Sequence, residues 1–258
     1  MSKPILVANW KNRPSSLSEA RALLKGLSAK KLLYRKLSLF IAPPLPYFDL
    51  VSSKASSYAR LASQDISLAK KTTTGAVTSE ILKSFGTKFA IIGHSERRAL
   101  GETSNDVSEK VKTALRSGIT PILCVGELSR DKDGDYFEFL REEIELSLAG
   151  LGRKFFRTSG IAIAYEPVWA IGKDARYAIE PTDLSETVIF IKKVISQLFG
   201  RSAANKVSIL YGGSVEPANA LTLLEETGIK GFLVGHASLN AKSFQKIAEA
   251  LIQNKIVR

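Results

Sequence analysis

The sequence predicts an α/β protein folded as a (β/α)8 barrel, eight parallel strands surrounded by helices, in a single domain over residues 1–258. Three observations predict it. The chain has 258 residues, 45% hydrophobic and 24% charged, which suits one barrel of ~250 residues with a full core. Short β-rich apolar runs alternate with longer amphipathic stretches, the rhythm of parallel strands joined by helical crossovers. The connections are too short for a second domain, and no linker, low-complexity tract or charge block marks a boundary. An open, doubly wound sheet is the alternative with the same pattern.

The elements follow in order. Residues 5–9 form the first apolar run, and helical periodicity fits residues 16–27. A second strand over 37–42 leads through Pro43-Pro44-Leu45-Pro46, which suits a strand-to-helix loop, into a helix over 47–57. The third pair is 60–64 with 79–85, the fourth 89–93 with 107–117, and the fifth 120–125 with 136–148. The sixth strand, 161–166, ends in a carboxylate, Glu166. Pro167 stops it there because proline has no N–H for the ladder. Its helix, 182–199, follows Pro181. The seventh pair is 207–211 with a helix over 217–227, where Pro217 after Glu216 reads as a first helical turn. The eighth is 231–234 with 241–254.

Composition removes several function classes. No apolar run approaches the ~20 residues that span a bilayer. The first residues lack the basic and then apolar regions of an export signal. The one cysteine, Cys124, sits in an apolar run and has no partner for an internal disulfide, so a reducing cytoplasm is the expected compartment. The net charge of +12 and pI near 9.7 suit either nucleic acid or anionic small molecules. Lys and Arg are spread along the chain, densest at Lys30-Lys31 with Arg35-Lys36. No recognition-helix, zinc-ligand or OB-type pattern accompanies them, so neither a nucleic-acid nor a membrane partner is expected.

In such a barrel, chemistry gathers where the strands end. The ends here are Asn9-Trp10-Lys11, Gly93-His94-Ser95-Glu96-Arg97-Arg98, Glu166, Gly212-Gly213-Ser214 and Gly235-His236. After Glu166 come Trp169 and Gly172, an apolar loop able to fold over the carboxylate like a lid. Apolar surroundings suit a general base. The glycine turns lead into helices, whose N–H groups and dipoles bind phosphate, and Lys11 adds a full positive charge. Each residue alone has a plain reading: Lys11 as a solvated lysine, His94 as a core histidine, Glu96 with Arg97 as a surface pair, Gly212-Gly213 as a tight turn. Together on one face they make a base, an electrophile and a phosphate cradle, the parts for moving a proton beside a carbonyl on a small phosphorylated substrate.

These segments, with Tyr165-Glu166-Pro167-Val168-Trp169-Ala170-Ile171-Gly172, Tyr211-Gly212-Gly213-Ser214-Val215, Gly231-Phe232-Leu233-Val234-Gly235 and Cys124-Val125-Gly126-Glu127, resemble the signature segments of the triosephosphate isomerase family, in order and along the whole chain. The resemblance implies an intramolecular oxidoreductase of glycolysis and gluconeogenesis that interconverts dihydroxyacetone phosphate and D-glyceraldehyde 3-phosphate through an enediol. It implies Glu166 as the base, His94 as a neutral electrophile at a helix starting near Ser95, and Lys11 and Asn9 against the substrate oxygens. It implies Glu96 beside Lys11, and phosphate held at Gly172, Gly213, Ser214, Gly235 and His236. Residues 167–177 would form a lid, and the segment from Thr74 to Ser79 a protruding homodimer loop. No metal and no organic cofactor is implied. Three departures stand out. The lid reads Gly172-Lys173-Asp174-Ala175-Arg176-Tyr177 where the family has Gly-Thr-Gly-Lys-Thr-Ala. His236 replaces a second glycine. The protruding loop carries Val77 and Ser79 where an aromatic and a glycine are usual. Another phosphosugar-binding (β/α)8 barrel enzyme and a non-catalytic basic binding protein are the alternatives. The first would explain the phosphate turns but not His94 with Glu166, and the second would need neither base nor lid.

Overall fold

In the computed structural model, residues 3–257 are described except 70–72, 132, 159, 173–177 and 226. The eight strands are β1 (Ile5–Asn9), β2 (Ser38–Ala42), β3 (Arg60–Ser63), β4 (Phe89–Ile92), β5 (Thr120–Val125), β6 (Ala162–Tyr165), β7 (Ser208–Tyr211) and β8 (Gly231–Val234). All pair in parallel with their sequence neighbours, and Ile5 of β1 pairs with Gly231 of β8, which closes the barrel. An open sheet is thereby excluded.

Strand alternation explains the two apolar layers. Val7, Phe40, Ala62, Ile91, Ile122, Ala164, Leu210 and Leu233 point into the barrel. Their neighbours Leu6, Ile41, Ile92, Leu123 and Ile163 face outward under the helices. Both faces are covered, so the strands read as continuous apolar runs rather than as alternating ones.

Helices α1 (Leu17–Ser28), α2 (Lys31–Tyr34), α3 (Phe48–Ala55), α4 (Ser79–Ser84), α5 (Ser95–Ala99), α6 (Ser104–Ser117), α7 (Asp135–Ser147), α8 (Phe155–Thr158), α9 (Pro181–Phe199), α10 (Arg201–Lys206), α11 (Ala220–Leu224) and α12 (Ala241–Val257) surround them. Several boundaries differ from the sequence pattern for local reasons. Ser16 caps α1, its hydroxyl accepting the Glu19 N–H. Thr103 and Asp106 form a capping box that starts α6 at Ser104, ahead of the apolar periodicity. The helix expected over 217–227 is only α11. Asn219 accepts the Glu216 N–H at 2.8 Å and donates to the Ser214 carbonyl at 2.9 Å, which makes a turn around Pro217 instead. β4 stops before Gly93, and β6 stops at Tyr165, leaving His94 and Glu166 just beyond the ladder.

Candidate active site

Lys11 follows β1 with φ of 52°, and among the described residues no other non-glycine has a positive φ. An L-residue in this region is strained, so its neighbours must hold it. The Asn9 side chain accepts the Lys11 N–H at 3.1 Å. Gln64 donates to the Lys11 carbonyl at 2.7 Å and to the Ala42 carbonyl at 2.8 Å, clasping the ends of β1 and β2 from the loop after β3. The Lys11 ammonium meets Glu96 at 2.5 Å. Asn9 is buried, whereas the Glu96 side chain is 57% exposed, so water screens this ion pair.

His94 sits between β4 and α5. It is buried, and its Nδ1 accepts the Glu96 N–H at 3.2 Å at the start of α5. A nitrogen that accepts carries no proton, so in the neutral ring the proton lies on Nε2. That nitrogen faces Glu166 Oε1 at 3.6 Å, too long for a hydrogen bond.

Glu166 is 2% exposed, deeper than any surface carboxylate. Its N–H still reaches the Val125 carbonyl at 2.8 Å, and the Ser95 N–H lies 3.4 Å from Oε2. Two glycines make room for it. A Cβ on Gly126 would overlap the Glu166 carbonyl, and one on Gly212 would lie 2.7 Å from its Cγ. Beneath it lies the Cys124 thiol, which burial and then the Glu166 charge push well up, so it stays protonated. Glu127, also buried, accepts the Tyr165 hydroxyl at 2.8 Å and the Trp169 indole N–H at 2.9 Å, and its carbonyl accepts the Val168 N–H at 2.9 Å. The first part of the predicted lid is thus anchored to the loop after β5.

A cleft of about 570 Å3 connects these groups. Asn9, Lys11, His94, Glu166, Gly172, Gly213, Ser214, Gly235 and His236 line it. The His236 side chain is exposed, and its φ is not in the left-handed region, so histidine replaces glycine here without backbone strain. Tyr211, at the end of β7, is fully buried. Its buried hydroxyl takes the N–H groups of Ile179 and Ser214, and burial pushes its pKa up to about 12. Residues 173–177 of the predicted lid lie outside the described residues, whereas 167–172 are described.

The segment from Thr74 to Ser79 divides in two. Thr74 and Gly75 are exposed, while Thr78 and Ser79 are buried in their own chain, where the Ser117 hydroxyl donates to Ser79 at 2.8 Å. Val77 also belongs to its own chain, its carbonyl accepting the Ser67 N–H at 3.0 Å. Among the described residues no three His, Cys, Asp or Glu side chains gather in a way that could hold a metal ion.

Sequence reasoning passed over Gln64, Arg98 as a structural group, and Glu143. Their partners are backbone groups and side chains distant along the chain, which periodicity does not reveal.

A family model described as triosephosphate isomerase matches residues 4–251. A triosephosphate isomerase of Citrifermentans bemidjiense is 39% identical over 252 residues, covering 96% of this chain and 98% of the relative. That of Endomicrobium trichonymphae is 36% identical over 253 residues, covering 96% and 99%. That of Dictyostelium discoideum is 37% identical over 243 residues, covering 93% of each.

Proposed function

The chain belongs to the triosephosphate isomerase family, and from that premise we propose how its strand ends carry the reaction. It is an aldose–ketose isomerase that interconverts dihydroxyacetone phosphate and D-glyceraldehyde 3-phosphate, a step of glycolysis and gluconeogenesis.

Glu166 takes a proton from the carbon next to the carbonyl and returns it to the neighbouring carbon. His94, through Nε2–H, polarises the carbonyl and passes protons between the two enediol oxygens. Lys11 balances the charge of phosphate and enediolate, Asn9 orients the oxygens, and Glu96 holds Lys11. The backbone at Gly172, Gly213, Ser214, Gly235 and His236 cradles the phosphate. Closure of residues 167–177 excludes water from the enediolate. The observation that carries this reading is a buried carboxylate, Glu166, 3.6 Å from the His94 imidazole in a cleft that Lys11 also lines.

We read residues 1–258 as one barrel domain that works as a cytoplasmic homodimer. A cleft of about 370 Å3, lined by Leu45, Gln64, Gly75, Val77 and Arg97, adjoins the exposed tip at Thr74 and suits a second copy. No described helix is long and apolar enough to cross a membrane. The single, buried thiol fits a reducing compartment.

A coupled assay of triose phosphate interconversion tests the function, and an inactive, folded protein would overturn it. Glu166→Gln tests the base. It should lower kcat by ~10²–10⁴-fold with inhibitor affinity little changed; near wild-type kcat would end that assignment.

A further inference from the structure

Glu143 lies in α7, outside the cleft, and it is a buried carboxylate that the mechanism above does not use. Its Oε2 accepts the Gly126 N–H at 2.8 Å. Its Oε1 pairs with Arg98 Nε at 3.1 Å. Gly126 presses on the Glu166 carbonyl so closely that no side chain fits between them. Arg98 donates to the carbonyl of Gly93, the residue before His94, at 2.9 Å. Its other nitrogens reach Ser104 and Ser147 at 3.2 Å and the Cys124 carbonyl at 3.5 Å. One carboxylate therefore ties the loop carrying His94, the loop after β5 and the seat of Glu166 together.

Packing alone does not fix this junction. A cavity of about 510 Å3, bordered by Ser95, Arg98, Phe139, Glu143, Glu166 and Val168, lies along it. Atoms beside a void can shift more readily than close-packed ones. The position of Glu166 relative to His94 then depends on the Glu143 bonds.

We propose that Glu143 is a positioning residue for the isomerisation, a clamp that sets the distance between Glu166 and His94. The proposal rests on the roles given above to those two residues. The groups facing Glu143 are Arg98 from α5, Cys124 from β5, Gly126 and Glu127 from the loop after β5, and Glu166 from the end of β6. Burial pushes the carboxyl up to about 7; Arg98 and the Gly126 N–H act against this, and Glu166 and Glu127 add to it. The ionised form grips Arg98 through charge and accepts the Gly126 N–H more strongly, whereas the protonated form keeps only weaker neutral contacts. The clamp loosens as pH falls through about 7.

The test compares wild type, Glu143→Gln and Glu143→Asp for kcat and KM across pH 6–8, with near-UV circular dichroism to follow folding. Small displacements of reacting groups cost up to ~10²-fold, so Glu143→Gln should lose about tenfold in kcat at pH 8 with KM within about twofold. Its kcat should lack the decline toward pH 6 that wild type shows. Glu143→Asp keeps a carboxylate on a shorter arm, so it should lose kcat yet retain a pH-dependent limb. Profiles of kcat that superpose for wild type and Glu143→Gln would overturn the inference. So would failure of both variants to fold, which would make Glu143 a purely structural residue. A wild type inactive toward triose phosphates would sink the functional reading instead, so the two failures are distinguishable.

Discussion

Lys11 illustrates how one residue's backbone is held for a task. Its left-handed φ of 52° costs energy that the rest of the structure must offset. Gln64 supplies the remote part, bonding the carbonyl of a residue 53 positions earlier. Gln64→Ala leaves that carbonyl without this partner, and strain of this kind is worth ~1–3 kcal/mol, so kcat/KM should fall about tenfold. Steady-state kinetics check this; an unchanged kcat/KM would mean that Asn9 and Glu96 hold Lys11 unaided. His236 makes the opposite case. Its side chain is exposed and its φ unstrained. His236→Gly should leave kcat/KM within about twofold, since exposed substitutions mostly change free energies by less than ~0.5 kcal/mol.

At the scale of elements, the loops after β5, β6 and β7 depend on two glycines for different reasons. A Cβ at Gly126 meets backbone, the Glu166 carbonyl, which cannot swing away. Gly126→Ala should therefore cost stability as well as activity, seen as a lowered Tm. A Cβ at Gly212 meets the Glu166 side chain 2.7 Å away, which can rotate. Gly212→Ala should keep most of the Tm but lose kcat, because it displaces the Glu166 side chain, the proposed base. Equal losses of Tm in the two variants would contradict this contrast. The protruding loop also divides by burial. With Thr78 and Ser79 inside their own chain, a Gly/Ser turn replacing residues 73–77 removes the projecting part without unpicking α4. The product should be monomeric by ultracentrifugation and much less active. A wild type that is monomeric and fully active at micromolar concentration would refute the dimer.

Across the whole molecule, charge sets two dependences. A net charge of +12 should attract a dianionic substrate, so kcat/KM should fall as salt rises, with little change in kcat. Tight, saturable binding of duplex DNA at physiological salt would favour the other reading of that charge. Stability should also depend on pH through Glu143. Its folded pKa, about 7, lies above the ordinary value of 4.5, so the folded state keeps a proton that the unfolded chain releases. That contribution is full below about 4.5 and is lost as pH rises to about 7. Tm should fall over this window more steeply in wild type than in Glu143→Gln, and calorimetry at several pH values checks the difference.

By itself the sequence determined the eight-fold alternation, the polar strand ends and so the face on which chemistry gathers, because periods of 2 and 3.6 residues and strand-stopping residues act locally. The placement of Glu166, His94 and Lys11 within two residues of the ends of apolar strands was legible for that reason. Only the tertiary structure decided that β8 returns to β1, that Gln64 bonds the Lys11 carbonyl and that Glu143 accepts the Gly126 N–H. These contacts join groups 17 or more residues apart along the chain, and a backbone N–H or carbonyl leaves no mark in the sequence of the residue that bears it.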